Sequence, residues 1–352
     1  MRIEKLLRMI NTRKADAALI TAAENVAYYS GFTGASSQLL ITRDERFLFT
    51  DFRYSEQAEA QTNFTVIETK AQTRVKTIFE LAEKHKAGKI GADLRWVLTP
   101  AYKAYAQHMG ENNIIDLSDD ISSQRAVKDS YELALIEKGA RHNDLLFFHL
   151  CGLIREGITE LDIKAEIIYY MHKNGAESAF APIVASGENT SLPHAAPSGR
   201  KLKAGDLLTM DYGCKFEGYC SDFTRTAAIS YMDKERQKVY DIVNRAGEIG
   251  IAALKAGEAA RVVDAASRDY IAKSGYASAF GHGLGHGVGL FIHEEPAINE
   301  VSDAVLKEGM AVTIEPGIYI EGCFGIRIED LCIVKNGGCV NLTAAPREVT
   351  II

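Results

Sequence analysis

Two hydrophobic rhythms alternate over the first hundred residues. The short runs "DAALIT", "FTVIET" and "KIGADL" have the near-continuous apolar pattern of buried strands. Between them, "FRYSEQAEAQ" and "RVKTIFELAEKHKAG" repeat at helical spacing, and a glycine stops the second. The opening "MRIEKLLRMINTRKADAALI" reads as a charged amphipathic helix running into a strand. Alternating strands and helices predict a small α/β domain over residues 1–122. The stretch "DLSDDISSQRAVKDSYELALIEKGARHNDLLFFHLCGLI" then starts polar and settles into a long amphipathic helix. Leu133, Leu135, Ile136, Leu145 and Leu146 occupy its apolar positions. The polar start, residues 118–126, is the expected boundary, which leaves a second domain over 123–352. A further helix is expected from Thr159 to about Asn174, stopped by Gly175, before a glycine-rich region of strands.

The second domain contains an internal echo. "KAGDLLTMDYGCKFEG" (203–218) and "KEGMAVTIEPGIYIEG" (307–322) align without a gap at an offset of 104. Lys, Gly, Thr, Gly, Glu and Gly recur in register, and Asp211 falls opposite Glu315. Two copies at this distance suggest a duplicated unit about a pseudo-twofold axis rather than a solenoid. Each copy is expected to be a hairpin with a carboxylate on its first strand. The first hairpin returns through "EGYCSDFTRTAAI", which carries Asp222, and the second through "GCFGIRIEDLCIV", which carries Glu329. Arg327 and Glu329 then share a face, because side chains alternate along a strand.

Strand interiors are poor in Asp and Glu, so four carboxylates inside apolar runs need a reason. Brought together they would repel, raise their pKa values or destabilise the fold. Two divalent cations would balance their four charges, and oxygen ligands with one imidazole suit Mn²⁺, Co²⁺, Fe²⁺ or Zn²⁺. The bland alternative is four unrelated, partly exposed carboxylates at strand edges.

"GHGLGHGVGLFIHEEP" (281–296) supplies imidazoles. It lacks the register of a phosphate-binding glycine loop, and no glutamate stands between His282 and His286 as a zinc-protease helix requires. Alternating glycines penalise a helix by roughly 1 kcal/mol each. They suit an extended segment that presses close to its neighbours. His282 and His286 then point alike, and His293 lies just beyond. The loop "FAPIVASGENTSLPHAAPSG" (180–199) adds His194, which is either held over the same site or simply solvent-facing.

Composition removes other classes. With 352 residues and a net charge of −7, no nucleic-acid role and no attachment to an anionic membrane are expected. No run of about 18 apolar residues suggests a membrane span, and the first residues lack the signature of a signal peptide. The six cysteines form no CxxC pair and read as buried free thiols of a cytoplasmic protein, a Cys214–Cys220 bridge being the lesser alternative.

The ordered set "PIVASGENTSLPH", "TMDYG", "SDFTRT", "GHGLGHGVGL..HE", "IEPGIY" and "IRIED" resembles the pita-bread metallopeptidases of the Xaa-Pro branch. That branch contains aminopeptidase P and Xaa-Pro dipeptidase (prolidase). The resemblance covers about residues 125–352, and the preceding domain is more weakly similar to the creatinase/prolidase N-terminal domain. It implies an α+β pita-bread catalytic domain with a pseudo-twofold repeat, preceded by a smaller α/β domain. It further implies a homodimer acting on proline-containing peptides. By that resemblance two divalent ions per subunit, Mn²⁺ or Co²⁺ before Zn²⁺ or Fe²⁺, are held by Asp211, Asp222, His286, Glu315 and Glu329. Asp222 and Glu329 would bridge them. His194, His282 and His293 match histidines around the substrate, Glu315 the proton shuttle, and Arg327 and Tyr319 supporting positions. Thr224 is a candidate partner of the ligands. No other cofactor is implied.

Two departures bear on substrate. Many dipeptidases of the group carry a basic residue after His-Glu-x-Pro that holds the dipeptide carboxylate, where "HEEPA" has Ala297. "LGHG" replaces the serine-aromatic pattern of longer aminopeptidase P enzymes. Cleavage of the bond between an N-terminal residue and a following proline is therefore expected, in the manner of aminopeptidase P on longer peptides and also on Xaa-Pro dipeptides, with a strict dipeptidase as the alternative. A non-enzymatic binding module of the same fold is the remaining alternative. Methionine aminopeptidase shares the ligands but lacks the first domain and the His194 loop; a creatinase-like hydrolase does without the full metal set.

Overall fold

The apolar runs of the first hundred residues become one six-stranded sheet in a computed structural model that describes residues 2–352. Its strands lie in the order Thr65–Glu68, Arg46–Thr50, Gln38–Thr42, Ala17–Ile20, Ile90–Ala92, Ile114–Asp116. The pairs within 17–50 are antiparallel and the outer pairs parallel. Leu19, Leu40, Phe49, Ile78 and Tyr105 fill its core. The amphipathic opening is helix Arg2–Thr12, which buries Leu6 and Ile10. The hairpin Gln38–Thr42/Arg46–Thr50 at the middle of this sheet is an addition to the strands expected from the sequence. The polar stretch after Asp116 is itself helical, Ser118–Ala126. Contacts divide the chain into Met1–Arg125 and Ala126–Ile352.

The second unit opens with helix Ser130–Cys151, started by a capping box in which Asp129 and Glu132 exchange side-chain and backbone hydrogen bonds. Leu135, Ile136 and Leu146 are buried as expected, but Leu145 is 50% exposed. Asn143 and Asp144 take the inward positions beside it, because a strand and a loop near the end of the chain need their polar atoms. Cys214 N donates to Asn143 Oδ1 at 3.0 Å, and Ala345 N donates to Asp144 Oδ1 at 2.8 Å.

The internal echo is a structural duplication. Helix Glu160–Lys173 in the first half corresponds to Ala260–Ile271 in the second. Gly157 N donates to Leu202 O and Gly257 N to Leu306 O; Glu160 N donates to Arg200 O and Ala260 N to Ala304 O. Gly157 and Gly257 have φ values of 86° and 88°, and Gly205 and Gly309 of 83° and 87°, a left-handed conformation that favours glycine at each turn. Strand Leu207–Asp211 pairs antiparallel with Thr224–Ala228, and Ala311–Ile314 with Asp330–Lys335. Each hairpin is interrupted partway along, and its tip strands pair separately. Core clusters with Tyr212 and Phe223 in one half and Val312 and Ile314 in the other pack behind these hairpins.

All six cysteines are free; Cys214, Cys220 and Cys332 are buried, whereas Cys323 is exposed because it sits in the turn before strand Phe324–Arg327. Among the described residues no helix is long and apolar enough to cross a membrane.

Candidate active site

The four carboxylates occupy the interruptions of the two hairpins rather than strand interiors. Asp211 ends strand Leu207–Asp211, and Asp222 lies just before Thr224–Ala228. Glu315 follows Ala311–Ile314, and Glu329 lies between Phe324–Arg327 and Asp330–Lys335. A strand break is where the pleat can turn consecutive side chains toward one point, so the duplication delivers two pairs of carboxylates to one place. Arg225, fully buried, fixes two of the breaks from behind. Its guanidinium donates to the carbonyl oxygens of Thr224 and Glu329 and pairs with Asp330 Oδ1 at 3.0 Å.

The glycine-rich segment passes alongside. Only Gly285–Gly287 is regular strand, pairing with Glu294–Ile298 and Ala311–Ile314. A Cβ at Gly285 would land on the Thr313 carbonyl and one at Gly287 on the Glu295 carbonyl, so these glycines permit the close approach. Asp264 and Arg268, on helix Ala260–Ile271, hold the segment around His282. Leu284 N donates to Asp264 Oδ1 (3.0 Å), and Arg268 donates to Phe280 O (3.1 Å) and His282 O (2.7 Å).

One cavity of about 630 Å³ is lined by His194, Asp211, Asp222, His282, His286, His293, Glu315, Tyr319, Arg327 and Glu329, while Thr224 stands behind it. Asp222, His286 and Glu329 each offer a ligand atom, and these atoms lie within 4.8 Å of one another. His286 Nε2 lies 3.4 Å from Asp222 Oδ2 and 3.3 Å from Glu315 Oε1. Its Nδ1 donates to Gly287 O at 3.1 Å, so Nε2 is the nitrogen turned toward the carboxylates: protonated it donates to them, and deprotonated it is the one free to bind a cation. Thr224 Oγ1 donates to Glu329 Oε2 at 2.7 Å, whereas Glu329 Oε1 is buried without a partner among the described residues. Arg327 Nη2 pairs with Asp211 Oδ2 at 2.5 Å, and Nη1 donates to Tyr319 Oη at 2.7 Å; Tyr319 Oη is 3.1 Å from His282 Nε2.

The electrostatics match this crowding. Burial, then repulsion from Asp222 and Glu315 working against Arg327, pushes Asp211 up to about 7. Burial also raises Asp222, and with the other three carboxylates it lifts Glu329 well above the ordinary range. Burial pushes Glu315 the same way, but its hydrogen bond to His286 outweighs this and holds it at about 2. For His286, burial favours the neutral ring, yet Asp222 and Glu315 raise it well above normal. Burial is the leading reason His282 and His293 are both lowered, which keeps them neutral. A partnerless buried carboxylate oxygen, three carboxylates whose pKa values are raised by burial and mutual repulsion, and an imidazole with Nε2 turned inward fit a divalent cation. Bound metal would ionise the acids and displace the imidazolium proton.

Several contributors carry no motif of their own. Phe180, Ile183, Ile292 and Asn299 line the cavity. Thr313 Oγ1 accepts from His286 N at 3.0 Å and donates to Glu315 Oε1 at 3.1 Å. Its signal was the repeat, which aligns it with Thr209. Beside His293, buried Lys128 pairs with Glu294 at 3.5 Å, and Phe291 N donates to Glu294 Oε1 at 2.9 Å, fixing that turn.

Comparison with known proteins agrees with this architecture. Residues 2–127 match the creatinase/prolidase N-terminal domain and residues 134–336 match metallopeptidase family M24. The chain is 33% identical to the Xaa-Pro dipeptidase of Pyrococcus furiosus over 99% of both chains. It superposes on the Xaa-Pro dipeptidase from Bacillus anthracis with a TM-score of 0.95 at 36% identity, covering 100% of this chain and 99% of the other. On the X-Pro aminopeptidase from Thermotoga maritima the TM-score is 0.91 at 36% identity, covering 98% and 100%. With a carboxylate-histidine cavity at the centre of a duplicated fold and family matches along nearly its whole length, the chain belongs to metallopeptidase family M24, in the pita-bread Xaa-Pro peptidase branch.

Proposed function

We propose that this metallo-exopeptidase hydrolyses the bond between an N-terminal residue and a following proline, and that it accepts peptides longer than a dipeptide. Relatives named Xaa-Pro dipeptidase and X-Pro aminopeptidase, each matched over nearly the whole chain, support the Xaa-Pro specificity. The observation that carries the proposal is the buried convergence of Asp222, His286 and Glu329 with a partnerless Glu329 Oε1.

The proposed ligands of two divalent ions, Mn²⁺ or Co²⁺, are Asp211, Asp222, His286, Glu315 and Glu329. When bound, such ions supply a Lewis acid and an activated water. The residues supply the rest. His194 and His293 face the carbonyl oxygen on which negative charge develops, and one of them stabilises it. Glu315 carries the proton to the leaving imino nitrogen. Arg327 holds Asp211, and Tyr319 links Arg327 to His282, so ligand and substrate-facing histidine move as one unit. The free α-amine of a substrate is attracted by the acidic cavity, which favours removal of a single residue. Six free thiols support a reducing, cytoplasmic setting, and a homodimer is the proposed assembly.

The preference for longer peptides rests on charge. Among the described residues lining the cavity Arg327 is the one Lys or Arg, and it already serves Asp211, Tyr319 and the Pro193 carbonyl. With Ala297 in place of a basic residue, no guanidinium or ammonium is free there for a dipeptide carboxylate. Metal-stripped protein reloaded with Mn²⁺ or Co²⁺ is expected to turn over Ala-Pro-Ala at least about tenfold more efficiently than Ala-Pro, the equivalent of ~1.4 kcal/mol. Preference for Ala-Pro would make it a strict dipeptidase. Failure on both, with metal bound, would refute the enzyme and leave a binding module.

A further inference from the structure

We infer that Glu160 is a positioning residue for His194: its buried carboxylate closes the 186–198 loop and thereby holds that histidine over the cavity. The inference rests on the peptidase proposal above for the role of His194. The histidine itself is exposed and makes no side-chain hydrogen bond among the described residues, so its place over the cavity depends on the backbone that carries it. That backbone leaves strand Ile183–Ser186 and returns twelve residues later at Ser198, and Glu160 grips both ends.

The carboxylate is fully buried and accepts five hydrogen bonds. Oε1 takes Ser186 N at 2.7 Å, Ser186 Oγ at 2.7 Å and Asn189 Nδ2 at 3.1 Å. Oε2 takes Ser198 N at 2.9 Å and Ser198 Oγ at 2.7 Å. Charge-assisted bonds of this kind are roughly twice as strong as neutral ones. The first half of the loop is locked further. Arg200 bridges Ser186 Oγ (2.9 Å), Glu188 Oε2 (3.0 Å) and Asp206 Oδ2 (2.6 Å). Thr190 Oγ1 donates to Gly187 O at 2.6 Å and accepts from Gly325 N at 2.9 Å. Next to His194, the Pro193 carbonyl accepts from Arg327 Nη1 at 3.3 Å, which ties the loop to the cavity.

The duplication provides an internal control. The second half makes the same helix-to-strand junction with Ala260, whose N–H is on Ala304 O as Glu160 N is on Arg200 O. The helix start is already capped by Thr159 and Asp162. Neither the junction nor the cap requires a carboxylate at 160, so its five acceptor contacts serve the loop.

Glu160→Gln keeps shape but turns an amide N–H toward backbone and hydroxyl donors. Hydrogen exchange of segment 187–197, measured on the full chain, is expected to rise at least about tenfold while strands 207–211 and 224–228 keep wild-type rates. On Mn²⁺-loaded protein kcat for Ala-Pro-Ala is expected to fall roughly 10- to 100-fold at unchanged metal content. The loss should be absent when Glu160→Gln is added to His194→Ala, because both act through one imidazole. Ser198→Ala, which removes a single donor at the loop end, is the second variant and should raise exchange in the same segment to a smaller extent. Unchanged exchange in both variants overturns the inference, as do losses that multiply in the double variant. Absence of wild-type Xaa-Pro hydrolysis would instead refute the peptidase proposal, and the exchange comparison would still decide the clamp.

Discussion

At the scale of the residue, the site is a set of buried groups each given one job by its neighbours. Thr224 shows this most simply. Its hydroxyl donates to Glu329 Oε2 at 2.7 Å and leaves Oε1 as the open lone pair. Thr224→Val preserves the β-branched shape and removes only that donor, so the strand should stay folded while the carboxylate loses its orientation. Partners of metal ligands typically contribute 10- to 100-fold in affinity or activity. Mn²⁺ affinity measured by titration calorimetry is therefore expected to drop by roughly that factor, with little change in melting temperature of the metal-free protein. Wild-type affinity in this variant would mean that Glu329 is oriented by the strand alone.

At the scale of the element, sequence and structure differ in instructive ways. The carboxylates and histidines were legible because each type is out of place where it sits: acids in apolar strand runs, imidazoles among alternating glycines. Their supports were not. Glu160, Asp264 and Arg268 lie on amphipathic helices, where a polar residue is ordinary and only the tertiary fold turns it inward. Leu145 shows the converse, an apolar helical position left exposed because Asn143 and Asp144 were needed inside to satisfy the backbones of a strand and a loop. The strand breaks that carry the ligands were also invisible, since the flanking runs read as continuous strands. The glycine segment is regular strand only at Gly285–Gly287, but the close approach expected of its glycines is there, for a physical reason that can be tested. At Gly285 an added Cβ would strike backbone, the Thr313 carbonyl, which has no side-chain freedom to yield. Gly285→Ala is expected to cost about 1–3 kcal/mol by overpacking. It should also displace His286, so that denaturant unfolding and metal binding weaken together. A variant as stable as wild type would show that the segment has slack.

At the scale of the whole molecule, the duplicated half-units bring four acids together, and the fold must carry that charge when no metal is present. Asp211, Asp222 and Glu329 titrate above their unfolded values, near 4. For Asp211, between about pH 4 and 7 the folded chain therefore holds a proton that the unfolded chain has released, and Asp222 and Glu329 act in the same direction. Stability contributed by these groups is complete at low pH and lost as pH rises through that window. His286, also raised, acts in the same direction above its ordinary value. Glu315, lowered to about 2, adds stability only as pH climbs from about 2 into the ordinary carboxylate range and is neutral to the argument above it. Metal binding requires the ionised acids and a neutral imidazole, so its stabilisation grows as pH rises. Melting temperatures with chelator and with Mn²⁺ should accordingly diverge between pH 5 and 7, and a gap that is constant or shrinks would contradict the assignment of these acids to a metal site.

The central claim, that Asp211, Asp222, His286, Glu315 and Glu329 form one two-ion centre, is tested most directly by counting metal. Protein equilibrated with Mn²⁺ and freed of excess should retain two ions per chain, and Asp222→Asn, which removes a proposed bridging ligand, should lose both ions together with Xaa-Pro turnover. A wild-type chain that retains none, or an Asp222→Asn chain that retains the wild-type complement and rate, would contradict it.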